Sequence, residues 1–225
     1  MQSWFSVVSL RNNSCLDLYV SHSQIFHYSN QVEPGLIKVA ILRHSNLKGI
    51  PDPDGFWSYK TFQIETFCCP GATFDNITSS SEYKRLVKKN FDVIILFLGG
   101  NDIRNECNIA DLYAKLKTLI DDLNNTIIPK FGIFFLEPEA RLGNPEIVSQ
   151  KGYYRLRNSL VWKVKSRKEI VSWTLLGRGL NLHHLGKDGV HFNKRGKQKF
   201  REIIQDHLDE KIAKIDEEKT RKKKK

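Results

Sequence analysis

The sequence predicts an α/β protein, a three-layer α/β/α sandwich built on a five-stranded parallel sheet. Three observations predict it. The first is Phe91–Asn101, FDVIILFLGGN, in which six consecutive apolar residues, Val93 to Leu98, stop abruptly at Gly99-Gly100. A short apolar run rich in β-branched residues and closed by glycines reads as a strand buried on both faces of a parallel sheet. The second is repetition: other apolar runs of strand length recur along the chain, and segments with helical spacing separate most of them. That alternation is the signature of a parallel sheet covered on both sides. The third is where the polar residues fall, directly after strand ends, the edge at which open parallel sheets bind their ligands. Right-handed crossovers then give a flavodoxin-like arrangement.

Composition bounds the remaining possibilities. With 225 residues, 40% hydrophobic and 11% aromatic, the chain suits one sizeable globular domain and not wholesale disorder. No apolar run approaches the length of a membrane-spanning helix. The segment from Met1 to Leu10 has no basic n-region, so no secretion signal is expected. Cys15, Cys68, Cys69 and Cys107 are too few for a disulfide scaffold, and the adjacency of Cys68 and Cys69 is a poor spacing for zinc. An intracellular location, cytoplasmic or nuclear, is expected, and the sequons at Asn12, Asn76 and Asn124 are then chance matches. The formal net charge is +11, part of it in the tail KTRKKKK at Lys219–Lys225. Such a tail is either a solvated end or a binder of phosphate backbones, acidic membrane surfaces or an import receptor.

In chain order, residues 1–35 show no sustained period and end at Pro34-Gly35. They are expected to form an N-terminal extension, with a strand near Leu16–Val20. The main domain spans residues 36–214. Leu36–Leu42 is its first strand, followed at once by Arg43-His44-Ser45-Asn46 and the turn-rich PDPDG at 51–55. Phe62–Cys69 is the second, ending in Pro70-Gly71-Ala72-Thr73; Asp75 is the expected cap of a helix running to Lys89. After the central strand, Ile109, Leu112, Leu116, Leu119, Ile120 and Leu123 recur at helical spacing. Gly132–Leu136 is the fourth strand, Tyr153–Lys165 a basic helix, and Glu169–Leu176 the fifth strand. A loop rich in glycine, Gly177–His191, leads into a helix from Lys194 to Lys214, and residues 215–225 form a basic tail. The loop 137–152 and residues 51–61 are expected to wall the site.

Ser45, Gly71, Asn101 and Asp188–His191 all follow predicted strand ends. A serine hydroxyl becomes a nucleophile when a base takes its proton. His191 is a candidate base, and Asp188, three residues earlier, can orient its ring and stabilise the imidazolium. The backbone N–H groups of Ser45 and Gly71 and the side-chain amide of Asn101 can act as oxyanion donors. Taken singly, each residue has an ordinary role: Ser45 as a helix cap, Gly71 and Asp188-Gly189 as turns, Asn101-Asp102 as a cap, His191 as a loop histidine. Arg104 and Lys187 flank the site as surface charges, and the cysteines read as small buried hydrophobes.

The stretches RHSNL around Ser45, PGAT around Gly71, GGND around Asn101 and DGVHFNKRG around His191 resemble the four blocks of the SGNH (GDSL-type) hydrolase family, over roughly residues 36–210. Within it, the chain looks most like the esterase-like domains carried by retrotransposons, in which His44 has a counterpart. The resemblance implies the SGNH hydrolase fold and a serine esterase or acylhydrolase acting on a small-molecule ester through an acyl-enzyme at Ser45. No metal or organic cofactor is implied. Arg43 departs from the pattern, which has glycine there, and puts a cation beside the nucleophile. That departure, the basic 151–168 region and the tail support a second reading: a catalytically impaired module of the same fold, derived from a mobile element, that binds RNA or another polyanion. The sequence leaves the oligomeric state open.

Overall fold

Strand β1, Ile37–Arg43, lies inside the sheet, between the two strands whose ends carry Gly71 and Asn101. The computed structural model describes residues 36–44, 56–59, 61–104, 107–138, 149–166, 171–173, 180 and 182–223. The expected strand near Leu16–Val20, Ser45 itself and most of the two wall loops lie outside the described residues. The other strands are β2, Phe56–Tyr59, β3, Phe62–Cys68, β4, Val93–Phe97, β5, Gly132–Leu136, and β6, Val171–Trp173. The helices are α1, Ser81–Leu86, α2, Ile109–Thr126, α3, Gln150–Lys165, and α4, Lys194–Lys223.

Among the described residues the sheet has six strands in the order β2-β3-β1-β4-β5-β6. The five from β3 to β6 run parallel, as expected. Numbered among themselves they follow the 2-1-3-4-5 order of flavodoxin-like folds. Strand β2 is additional: it pairs antiparallel with β3 and continues that edge. Its four residues are too few to show a period, which is why the sequence does not reveal it.

The three layers follow from strand alternation. All five side chains of β4 are fully buried, because both faces of the strand are covered. Ile94 and Leu96 enter a core with Tyr83, Leu86, Leu116, Leu123, Tyr153 and Leu160, from α1, α2 and α3. Val93, Ile95 and Phe97 enter the opposite core, with Phe200, Ile203, Ile204 and Leu208 from α4. Fully burying side chains of this size contributes about 1.5–3 kcal/mol each relative to leaving them exposed.

Element boundaries differ from expectation in specific places. Asp75 does not cap the helix; its carboxylate pairs with Lys115 at 2.5 Å. A 3-10 turn at Ile77–Ser79 intervenes, and Ser80 caps α1 by accepting from Tyr83 N. Helix α3 begins earlier than Tyr153, with Ser149 accepting from Gly152 N. The described part of the last strand is shorter than Glu169–Leu176. Helix α4 runs beyond the expected end at Lys214 to Lys223, so most of the basic tail continues it. Ion pairs one turn apart accompany this extension, Glu210–Lys214 at 2.7 Å just before it and Glu217–Arg221 at 3.9 Å within it.

Candidate active site

Arg43 is paired with Cys68 on one side and Phe97 on the other, so β1, β3 and β4 release the chain at one edge of the sheet. In this strand order the connections reverse direction between β1 and β4, and open α/β sheets bind their ligands at the carboxyl ends beside such a switch point. Gly71 and Asn101 lie in the segments leaving β3 and β4. Ser45 follows β1 by two residues but lies outside the described residues; its chain neighbour His44 is fully buried.

Gly71 adopts φ +70°, a left-handed conformation that L side chains rarely take, and this requires glycine as directly as steric room does. Among the described residues, a Cβ built there would meet nothing within 4 Å. Two side chains from the β4 end reach across to the same turn. Asn101 Nδ2 donates to Ala72 O at 2.9 Å, and Phe74 N donates to Asp102 Oδ1 at 2.9 Å. Asp102 is buried, and burial pushes its carboxyl up to about 6. Besides the oxyanion role of Asn101, the sequence suggested a helix cap for Asn101-Asp102; Asn108 takes that capping role for α2.

Asp188 and His191 form a hydrogen-bonded pair, with Asp188 Oδ2 2.5 Å from His191 Nδ1. The other Asp188 oxygen accepts from Val190 N and His191 N, each at 3.0 Å. The Val190 amide, then the imidazole and the His191 amide, hold the Asp188 carboxyl down to about 2. A carboxylate so far below its usual range is an acceptor only, so His191 Nδ1 carries the proton and Nε2 is the basic nitrogen.

The loop bearing this pair is clamped at its base. Leu185 and Phe192 form an antiparallel bridge, and Gly186 N donates to His191 O at 2.6 Å. Asn193 Nδ2 donates to His183 O and Leu185 O, at 2.8 and 2.9 Å, while its Oδ1 accepts from Gly196 N. A Cβ on Gly196 would stand 2.1 Å from His184 O, so only glycine lets α4 approach this closely. The sequence analysis quoted Asn193 and Gly196 within their motif but gave them no role. Asn followed by Gly at the third position, before a helical run, was the available signal.

An aromatic column joins the loops. His44 stacks on Phe97 with ring centroids 5.6 Å apart, and Phe192 stacks on the same Phe97 at 6.5 Å. The chain neighbours of Ser45 and His191 thus rest against one ring at the end of β4. Arg43 does not extend into open space: it is buried, and its Nη1 donates to His44 O at 3.3 Å and to Cys68 Sγ at 3.2 Å. Cys69 is buried, which pushes its thiol up, and Cys107 packs partly buried against the core. Arg104 and Lys187 are exposed; Arg104 Nε donates to Asn101 O at 3.3 Å. No helix among the described residues is long and apolar enough to cross a membrane.

No family model and no curated protein matches the chain. Solved structures do. An acetyl xylan esterase, AlAXEase, is similar with TM-score 0.59 and 17% identity, covering 76% of this chain and 100% of that one. A candidate platelet activating factor from Streptococcus pneumonia is similar with TM-score 0.56 and 13% identity, covering 87% and 100%. An alpha/beta hydrolase enzyme from the metagenome of Lake Arreo, Spain, is similar with TM-score 0.53 and 14% identity, covering 73% and 91%. At these identities the likeness shows the fold, a three-layer α/β/α sandwich shared with hydrolases.

Proposed function

We propose that the chain is a serine esterase of SGNH type that hydrolyses carboxylic esters. Ser45 Oγ attacks the ester carbonyl as His191 Nε2 takes its proton, and the N–H groups of Ser45 and Gly71 and the Asn101 amide receive the oxyanion. Collapse breaks the bond to the alcohol, which leaves with the proton from His191. Water then repeats the sequence on the acyl-enzyme and releases the acid. Asp188 keeps the ring oriented and stabilises the imidazolium.

The observation that carries this reading is the Asp188–His191 pair, set beside Phe192 on the same Phe97 ring that supports His44. The esterase names among the structural neighbours agree with it. The reading as a polyanion-binding module keeps the +11 net charge but loses Arg43, whose guanidinium is buried against Cys68 and the His44 carbonyl. The deciding experiment treats the protein with a fluorophosphonate and measures p-nitrophenyl acetate turnover beside a Ser45→Ala variant. Labelling at Ser45 and loss of turnover in the variant are expected. A variant as active as the parent overturns the assignment.

A further inference from the structure

We propose that Asp102 is a positioning residue of this site: it fixes the turn that carries Gly71 and thereby aims the Gly71 N–H at the oxyanion. The inference rests on the esterase reading above. Gly71 sits on an exposed turn whose own backbone bonds are few: Ala72 N donates to Cys69 O at 3.1 Å, Thr73 N donates to Asn76 Oδ1 at 2.8 Å, and at the base of the turn Cys69 N donates to Arg43 O at 2.8 Å. Beyond the Cys69–Arg43 backbone bond at its base, a pair of side chains from the β4 end ties this turn to the sheet. Asn101 holds the carbonyl of residue 72, and Asp102 holds the amide of residue 74. An oxyanion donor is effective only when its direction is set before the reaction. A misplacement of about 1 Å costs on the order of 10²-fold in rate.

The chemistry of Asp102 is stronger than simple capping requires. Its second oxygen, Oδ2, is buried with no hydrogen-bond partner among the described residues. A buried charged carboxylate half-satisfied in this way is costly, and a neutral amide could accept the Phe74 N–H equally well in shape. The charge makes that bond charge-assisted and stiffer. Its surroundings set when the charge is present. Burial raises the carboxyl and the Phe74 N–H opposes that rise; Asp75 on the same turn adds to it, and Lys115 from α2 and Arg104 from its own segment oppose it. The brace therefore stiffens as pH rises through about 6.

The test compares the full-length wild type with Asp102→Ala and Asp102→Asn, using p-nitrophenyl acetate as the probe. Asp102→Ala removes the acceptor. Its kcat is expected to fall about 10- to 100-fold while KM changes less than about threefold, because the donor acts in the transition state. Asp102→Asn keeps the acceptor, restores kcat to within about fivefold, and removes from the kcat profile the step that Asp102 adds near pH 6, leaving the pH dependence of the base itself. Hydrogen exchange at the Phe74 amide is expected to quicken at least about tenfold in Asp102→Ala and to stay protected in Asp102→Asn. A purely structural role would lower the melting temperature without changing the pH profile. Phe74 exchange equal to wild type in Asp102→Ala, or a folded Asp102→Ala with kcat within about twofold of wild type, overturns the proposal. If Asp102→Ala does not fold, an Asp102→Asn pH profile superimposable on wild type overturns it. If the wild type turns over no ester and Ser45 takes no fluorophosphonate, the esterase reading falls by itself, and the exchange measurement still decides whether Asp102 braces the turn.

Discussion

At the scale of single residues, Asp188 shows how one carboxylate can set the chemistry of its neighbour. Both of its oxygens are engaged, one by two backbone amides and the other by His191 Nδ1. Asp188→Asn preserves the shape and the acceptor for the amides. Its side-chain NH₂ then faces Nδ1, which forces the ring into the tautomer with the proton on Nε2. A base protonated on its working nitrogen cannot accept the serine proton. The expected loss is about 10³- to 10⁴-fold in kcat for p-nitrophenyl acetate, with little change in KM, since the same substitution in serine proteases costs about 10⁴. A loss under about tenfold would show that Asp188 does not orient the base. The pair was legible in the sequence because its members stand three residues apart on one loop. Asp102 was not, because its partner is a backbone amide 28 residues away, and no pattern in a single sequence marks such a contact.

At the scale of elements, the short clamp between the Leu182–His184 turn and the first turn of α4 holds the Asp188–His191 loop in place. Gly196 is its tightest point. Alanine in a helix is ordinarily better than glycine by about 1 kcal/mol. At this position the new methyl would meet a backbone carbonyl at 2.1 Å, which no side-chain rotation relieves. Gly196→Ala is therefore expected to destabilise the fold by at least about 2 kcal/mol in urea unfolding, and to lower ester turnover as the loop shifts. Unchanged stability would mean that α4 can slide away from the turn at no cost.

The elements also show where the sequence was readable. The five parallel strands were, because burial on both faces demands continuous apolar runs. The capping of α1 was misread because Asp75 and Ser80 are both good caps, and the choice between them depends on how the Gly71 turn delivers the chain. The end of α4 was misread because apolar residues give out near Ile212, while the residues beyond it are good helix formers with pairs one turn apart.

At the scale of the whole molecule, two acids, Asp188 and Asp102, pull the pH dependence of stability in opposite directions. Asp188 has a depressed folded-state value of about 2. Its contribution is present above the unfolded value of about 3.9 and is lost as pH falls through about 2. The side chain is half exposed, so solvent screening keeps this effect small. Asp102 has a raised value of about 6. Its folded state binds the proton more tightly than the unfolded chain does, so its contribution favours folding fully below about 3.9 and is lost as pH rises through about 6. Between these values the buried acid dominates. The net charge of +11 also grows on acidification and opposes folding by self-repulsion, but it does so almost equally in wild type and in Asp102→Asn. Subtracting one from the other isolates the single carboxyl. Urea unfolding at pH 7 and at pH 4 should show wild type gaining about 2 kcal/mol on Asp102→Asn at the lower pH. The gain should be complete before Asp188 begins to lose its charge. A difference that stays constant across this window would mean that the Asp102 carboxyl titrates as though it were in water. The unpartnered oxygen would then be hydrated, and the turn that carries Gly71 would be held by shape alone.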